Sequence, residues 1–196
     1  MILRHTSEAG DGDAKAPSIR EKILRAQDID PSRIVLAEQV HGTAVAGVKS
    51  LKDRLYPCTD GFITGSPGIA LGVFSADCVP VFLSAAGESV AGILHAGRKG
   101  TTDGILSRAL ALFASEWGVL PKDTLIHLGP HIRKCCYEAD LSRDLAAQAR
   151  AHGVPEASLS DDPRCTSCSP GFFSYRRTKT AERMVSFILI QHEQAP

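Results

Sequence analysis

The sequence predicts a single α/β domain, a compact body of mixed β-strands flanked by helices. Three observations carry that expectation. Short apolar, β-branched runs alternate with turn residues through the middle of the chain. Two longer segments, residues 103–117 and 139–151, carry helical patterning. The length of 196 residues suits one domain able to bury a sizeable core.

Along the chain, residues 6–17 are rich in Gly, Asp, Ala and Ser, so the first 17 residues read as a flexible end. Ser18–Asp28 has helical composition, with Ile19, Ile23 and Leu24 on one face and Pro31 just beyond. Five runs then read as strands: Ile34–Val40, Gly61–Thr64, Ala70–Ser75, Val79–Ser84 and Ser89–His95. Turn residues such as Gly65-Ser66-Pro67-Gly68 separate them. Residues 103–117 form the strongest helix candidate, with Gly118 as its stop. Thr124–Leu128 reads as a strand and 139–151 as another helix, while Val185–Gln191 is an apolar run of undetermined type.

Composition narrows the function. Lys+Arg and Asp+Glu balance at 22 each, so no basic excess points to nucleic acid or an anionic membrane. No run of about 18 apolar residues is present to span a bilayer. The first residues lack the apolar core of a signal peptide, so a cytoplasmic location is the default. The six cysteines are then expected as thiols or metal ligands.

Three segments carry unusual chemistry: Gln39-Val40-His41-Gly42, Ser75-Ala76-Asp77-Cys78-Val79-Pro80-Val81 and Leu94-His95-Ala96-Gly97-Arg98-Lys99-Gly100. Each puts a metal-capable side chain at a strand end beside a small residue, where a rigid sheet can aim it into a shared pocket. His41, Cys78 and His95 make a three-ligand set for zinc with one position left open, the pattern of a catalytic ion. The bland alternative is two hydrogen-bonded histidines and a cysteine serving as a small apolar residue; spacing alone leaves both readings standing. Cys165-Thr166-Ser167-Cys168 has C-x-x-C spacing, and Cys135-Cys136 would complete a four-cysteine site. Adjacent cysteines rarely both reach one ion, so no zinc cluster is expected there. Phosphate-loop, nucleophile-elbow and H-E-x-x-H patterns are all missing from the sequence.

Taken in order, five motifs resemble one family. They are Gln39-Val40-His41-Gly42, Ala76-Asp77-Cys78-Val79-Pro80, His95-Ala96-Gly97, Leu128-Gly129-Pro130 with Cys135-Cys136-Tyr137-Glu138, and Phe172-Phe173-Ser174-Tyr175-Arg176-Arg177. The family is the multicopper polyphenol oxidase or laccase-domain proteins, also called purine nucleoside phosphorylase laccase-domain proteins or peptidoglycan editing factors. The resemblance implies a fold related to the cytotoxic necrotizing factor deamidases. It implies a metal on His41, Cys78 and His95, zinc in the first place and copper in the second. It also implies action on adenosine, inosine or methylthioadenosine, by phosphorolysis or, for adenosine, deamination. On that reading the partners are a small-molecule nucleoside and phosphate. Arg98, Lys99 and Arg176 are the candidate phosphate cations, and Cys78, His95 and Asp77 the candidate catalytic residues. Arg98 stands where the family usually has Trp, and Thr180-Ala181-Glu182-Arg183 where it has Thr-Gly-Arg.

Three other readings remain: a cysteine hydrolase with Cys78 as nucleophile and His95 as base, acting on an amide such as a cell-wall precursor; a copper phenol oxidase; and a non-enzymatic role, with the fold retained and the substrate chemistry lost. The chain has no H-x-H motif, and one site of two His and one Cys cannot store four electrons, which weighs against the oxidase.

Overall fold

The computed structural model describes residues 1–191. Its elements run β1 (Ile2–Thr6), α1 (Pro17–Arg25), β2 (Ile34–Ala37), β3 (Val45–Gly47), β4 (Leu55–Tyr56), β5 (Gly61–Thr64), β6 (Ala70–Ser75), β7 (Val79–Ala85), β8 (Ala91–Ala96), α2 (Arg98–Thr102), α3 (Ile105–Trp117), β9 (Thr124–Leu128), α4 (Leu141–Ala151), β10 (Leu159–Asp161), α5 (Tyr175–Thr178) and β11 (Met184–Ile190). The strands form two mixed sheets, one of five in the order β1-β11-β6-β2-β4 and one of six in the order β10-β9-β7-β8-β5-β3.

The alternation of side chains along each strand stacks these sheets into four layers. Odd and even residues of a strand face opposite ways. Val35, Leu71, Val73 and Ile188 of the first sheet meet Phe62, Phe82 and Ile93 of the second in a core between the sheets. The opposite face of the first sheet, including Ile34, Val185, Phe187 and Leu189, packs on Ile23 and Leu24 of α1. The opposite face of the second, including Ile63, Val81, Leu83 and Leu94, packs on Leu106, Leu110 and Phe113 of α3 and Leu145 of α4. The order is helix, sheet, sheet, helices.

This layering explains the differences from the sequence expectation. β11 is buried on both faces, so all its residues but Ser186 are apolar and they show no alternation that would mark a strand. Residues 1–17, expected as a flexible end, include β1, which pairs antiparallel with β11 from Ile2↔Ile190 to Thr6↔Ser186. The expected helix 103–117 divides: Gly104 adopts φ +85°, a left-handed turn that separates α2 from α3. Gly118 at φ +67° closes α3 where the sequence placed its stop. Among the described residues, no helix is long and apolar enough to cross a membrane.

Candidate metal centre

His41, Cys78 and His95 come together where the inner strands β7 and β8 of the second sheet begin and end, with a donor atom from each within 4.8 Å of the others. Each arrives by a different local device.

His41 lies in the loop after β2. Pairing of β2 with β6 runs only to Leu36↔Gly72, and the Gln39 side chain then substitutes for the ladder. Its Nε2 donates to the Phe74 carbonyl at 2.7 Å and its Oε1 accepts from the Phe74 N–H at 2.7 Å. Beyond it the backbone curls so that the N–H groups of Val40, His41 and Gly42 all donate to the Asp60 carboxylate, at 3.2, 3.0 and 2.8 Å. The curl requires His41 at φ +58°, a left-handed conformation disfavoured outside glycine. A row of converging N–H groups is an anion nest, and here a buried carboxylate fills it.

The same Asp60 orients His95. Its main-chain carbonyl accepts the His95 N–H at 2.7 Å, and its carboxylate accepts from His95 Nδ1 at 2.9 Å. With the proton on Nδ1, the Nε2 lone pair is left facing outward. Carboxylate–histidine pairs of this kind orient metal-ligating histidines. Cys78 follows a sharp turn in which Asp77 sits at φ +94°. Three bonds hold that turn: the Ile132 N–H to the Asp77 carbonyl at 2.9 Å, and the Thr166 hydroxyl and Arg176 N–H to its two carboxylate oxygens, each at 2.7 Å.

Small residues close the back of the centre. A Cβ on Gly97 would lie 2.9 Å from the His41 ring and 3.1 Å from Cys78 Sγ, and one on Gly100 would lie 2.7 Å from the Gly42 carbonyl. Gly97 and Gly100 are thus required by the close approach of the His41 loop. The two imidazoles meet edge to face with ring centroids 4.8 Å apart.

The electrostatics are those of a coupled pair. Burial pushes the Cys78 thiol up, but hydrogen bonds from His41 and His95 and their charges outweigh it and bring it to about 6. Burial likewise pulls His95 down, while its hydrogen bonds to Asp60 and Cys78 raise it to about 9. Without a metal, Cys78 and His95 therefore form a thiolate–imidazolium pair near neutrality. The donor set fits a transition ion: one thiolate and two imidazoles, one of them backed by a carboxylate, closely spaced and partly open to a cleft.

That cleft has a volume of about 940 Å³. Arg98, Lys99 and Arg176, the cations expected from the sequence, all line it, together with Lys15, Tyr137 and Tyr175. Glu138 bridges two of them, accepting from Arg98 and from Arg176 at 2.6 Å each, and Lys99 pairs with Asp103. The Arg176 guanidinium lies 5.0 Å from the Tyr137 ring centroid. A smaller cleft of about 540 Å³ beside α4 and β10 contains none of the three donors.

The model of the family described as multi-copper polyphenol oxidoreductase laccase matches residues 3–149 and 138–191. The chain belongs to this family. A relative named purine nucleoside phosphorylase in Mycobacterium tuberculosis is 32% identical over 93% of this chain and 82% of its own length. One of the same name in Streptomyces coelicolor is 32% identical over 91% and 84%. The crystal structure of YlmD from Geobacillus stearothermophilus superposes with a TM-score of 0.90 at 26% identity, covering 97% of this chain and 92% of that one. YfiH from Bacillus licheniformis, titled a hypothetical protein, gives 0.85 at 26% identity over 89% and 80%.

Sequence reasoning passed over Asp60 and Glu138. The available signal for Asp60 was a carboxylate immediately before a strand that reads as apolar and buried, a position where a charge needs partners. One expectation was wrong in its geometry. Cys135, Cys136, Cys165 and Cys168 were not expected to form a zinc cluster, because adjacent cysteines rarely both reach one ion, yet their sulfurs all lie within 4.8 Å of one another. The adjacent pair sits on a helical turn, closed by the Cys136 and Tyr137 N–H groups on the Arg133 carbonyl at 2.9 and 3.0 Å. Successive side chains there diverge by about 100° instead of the 180° of a strand.

Proposed function

We propose that this protein is a metal-dependent purine nucleoside phosphorylase. The observation that carries the reading is the donor set of His41, Cys78 and His95 at the base of a cationic, tyrosine-lined cleft, together with the name shared by its relatives.

His41, Cys78 and His95 would hold zinc, and when bound the ion supplies Lewis acidity toward a substrate heteroatom at the cleft floor. Phosphate binds through Arg98, Lys99 and Arg176. Their carboxylate partners are exposed, and such pairs are weak, so a phosphate dianion displaces them readily. Tyr137 and Tyr175 offer the purine its aromatic surface, in place of the Trp that Arg98 replaces. In phosphorolysis a phosphate oxygen bonds to ribose C1′ as the bond to purine N9 breaks, and the electron pair leaves with the base. Cations around the phosphate hold the nucleophile in place and screen its charge. Asp77 is a positioning residue. Both of its oxygens accept protein donors, so it fixes the Cys78 turn and docks α5, which carries Arg176, and does not transfer protons.

A second reading rests on the thiolate–imidazolium pair. Cys78, His95 and Asp60 are linked as nucleophile, base and orienting carboxylate, the constellation of a cysteine hydrolase. Metal removal separates the two. Incubation with adenosine should yield adenine and ribose 1-phosphate only when phosphate is present. A chelator should abolish the reaction and added zinc restore it. Full activity after verified metal removal, lost on alkylating Cys78, would overturn the first reading in favour of the second. Inosine as product without phosphate would show deamination instead.

A further inference from the structure

We infer that Cys135, Cys136, Cys165 and Cys168 form a second metal centre, a closed four-thiolate zinc site with a structural role. Zinc bound by four thiolates at about 2.3 Å places the sulfurs about 3.8 Å apart. Here Cys136 and Cys168 sulfurs are 3.3 Å apart, Cys135 and Cys168 3.6 Å, and all four lie within 4.8 Å of one another. Among the described residues all six cysteines are free thiols.

Both supporting loops are built to hold the sulfurs. The Cys165–Cys168 loop is a tight turn, with the Cys168 and Ser169 N–H groups donating to the Cys165 carbonyl at 3.2 and 2.9 Å. Arg177 grips it from outside, its guanidinium donating to the carbonyls of Thr166, Ser167 and Ser169 at 2.9, 3.1 and 3.0 Å. An isolated bridge joins His131 to Cys165, and the Arg133 N–H donates to Cys165 Sγ at 3.4 Å. Main-chain donors to sulfur are the outer-shell support that thiolate ligands use. Four thiolates around zinc carry a net charge of −2. Lys134 beside Cys135, and Arg177 of α5, both bonded to main-chain carbonyls and not to carboxylates, supply positive charge nearby.

With all four positions filled by protein, such a site cannot bind substrate and is structural. Its place says what it holds. Thr166, between the paired cysteines, donates to Asp77 beside Cys78. Tyr137 and Glu138, directly after Cys135-Cys136, line the large cleft. The ion would clasp two loops that form the cleft wall.

The test is metal stoichiometry of the full chain, purified under reducing, zinc-replete conditions. Wild type should contain two zinc ions. Cys168→Ser and Cys135→Ser, both at exposed positions, should each lower the count to one, as should His41→Ala through the other centre. Cobalt substituted into His41→Ala should show the intense thiolate-to-metal absorption and visible bands of a tetrahedral four-sulfur site, and Cys168→Ser should remove them. The clasp also predicts a raised KM for nucleoside in Cys168→Ser with the first zinc retained. A count of one in wild type that stays at one in Cys168→Ser and falls to none in His41→Ala would overturn the proposal. So would protein that takes up no second ion when reduced and whose Cys136 and Cys168 are joined as a disulfide when an oxidant such as oxidised glutathione is added in the presence of zinc. A single ion that survives His41→Ala but not Cys168→Ser would uphold this site and refute the other.

Discussion

Asp60→Asn is the substitution that most directly tests how the candidate centre is assembled. One oxygen of Asp60 accepts from His95 Nδ1 and the His41 N–H, the other from the Val40 and Gly42 N–H groups. An asparagine amide can replace one oxygen, so in either orientation its NH₂ opposes two donors. The Asp60 side chain is fully buried, the His95 donor is buried and the three main-chain donors part-buried, so leaving two of them unpaired costs at most about 1–3 kcal/mol each. Taking about 4 kcal/mol in total, at roughly 3 °C per kcal/mol for a chain of this size, the metal-free melting temperature should fall by roughly 12 °C. The same change frees the His95 ring and releases the strained His41 turn, so zinc affinity should weaken by about 10–100-fold. Differential scanning calorimetry of metal-free protein measures the first effect, and competition with a chromophoric chelator well below the melting point measures the second. A variant with unchanged zinc affinity would refute the orienting role, and one with unchanged melting would refute the nest.

Other outcomes follow from the same geometry. In metal-free protein Cys78 lies well below its ordinary value of 9.0, at about 6, so its ionised form and the stability it contributes are present at higher pH and are lost as pH falls through about 6. His95 lies above its ordinary 6.5, at about 9, so its contribution is present at low pH and lost as pH rises through about 9. Alkylation of Cys78, followed by mass spectrometry, should therefore reach half its maximal rate near pH 6, and zinc should protect it; a midpoint near 9 would contradict the pairing. Gly97→Ala would place a methyl 2.9 Å from the His41 ring and 3.1 Å from the Cys78 sulfur, so overpacking of about 1–3 kcal/mol should appear as lost zinc affinity; normal zinc uptake would show that the loop yields. Lys99→Ala should raise the KM for phosphate while leaving zinc content intact, and an equal loss with phosphate-independent substrates would assign Lys99 to pocket shape.

The core strands were legible because their boundaries are marked by local chemistry. β5, β6 and β9 lie between turn residues and were placed residue for residue. β3, β4, β10 and α5 are two to four residues long, too short for any periodicity to register. β1 was missed because its five residues, Ile-Leu-Arg-His-Thr, mix charge with apolar side chains, as suits an edge strand. In the site, side chains that hold an ion have a chemical signature, and His41, Cys78 and His95 could be singled out. Asp60 is a plain carboxylate whose role comes only from four donors, three on the Val40–Gly42 loop and one on His95 of β8, all far from it in sequence, and nothing local announces that. The four cysteines were weighed as one site and set aside for a related reason: C-x-x-C spacing was visible, but whether adjacent Cys135 and Cys136 face together depends on a turn that the sequence does not reveal.

The two cysteine-rich regions are mechanically one unit, and Asp77 is the joint. Its backbone takes a positive φ that only a well-held residue sustains. What holds it are bonds from three separate segments: Ile132 in the loop that leads to Cys135, Thr166 between Cys165 and Cys168, and Arg176 on the helix that follows. Remove any one of these loops and the turn that presents Cys78 to His41 and His95 loses a restraint. The glycines act from the other side, letting the His41 loop close to contact distance on Cys78 and on the start of α2. The motifs that lie far apart along the chain thus answer to one geometric demand, the placement of three donor atoms at a single point beneath a cationic cleft. The four packed layers set the strand ends at which this happens, and the loops, tied to one another through hydrogen bonds, set the distances within it.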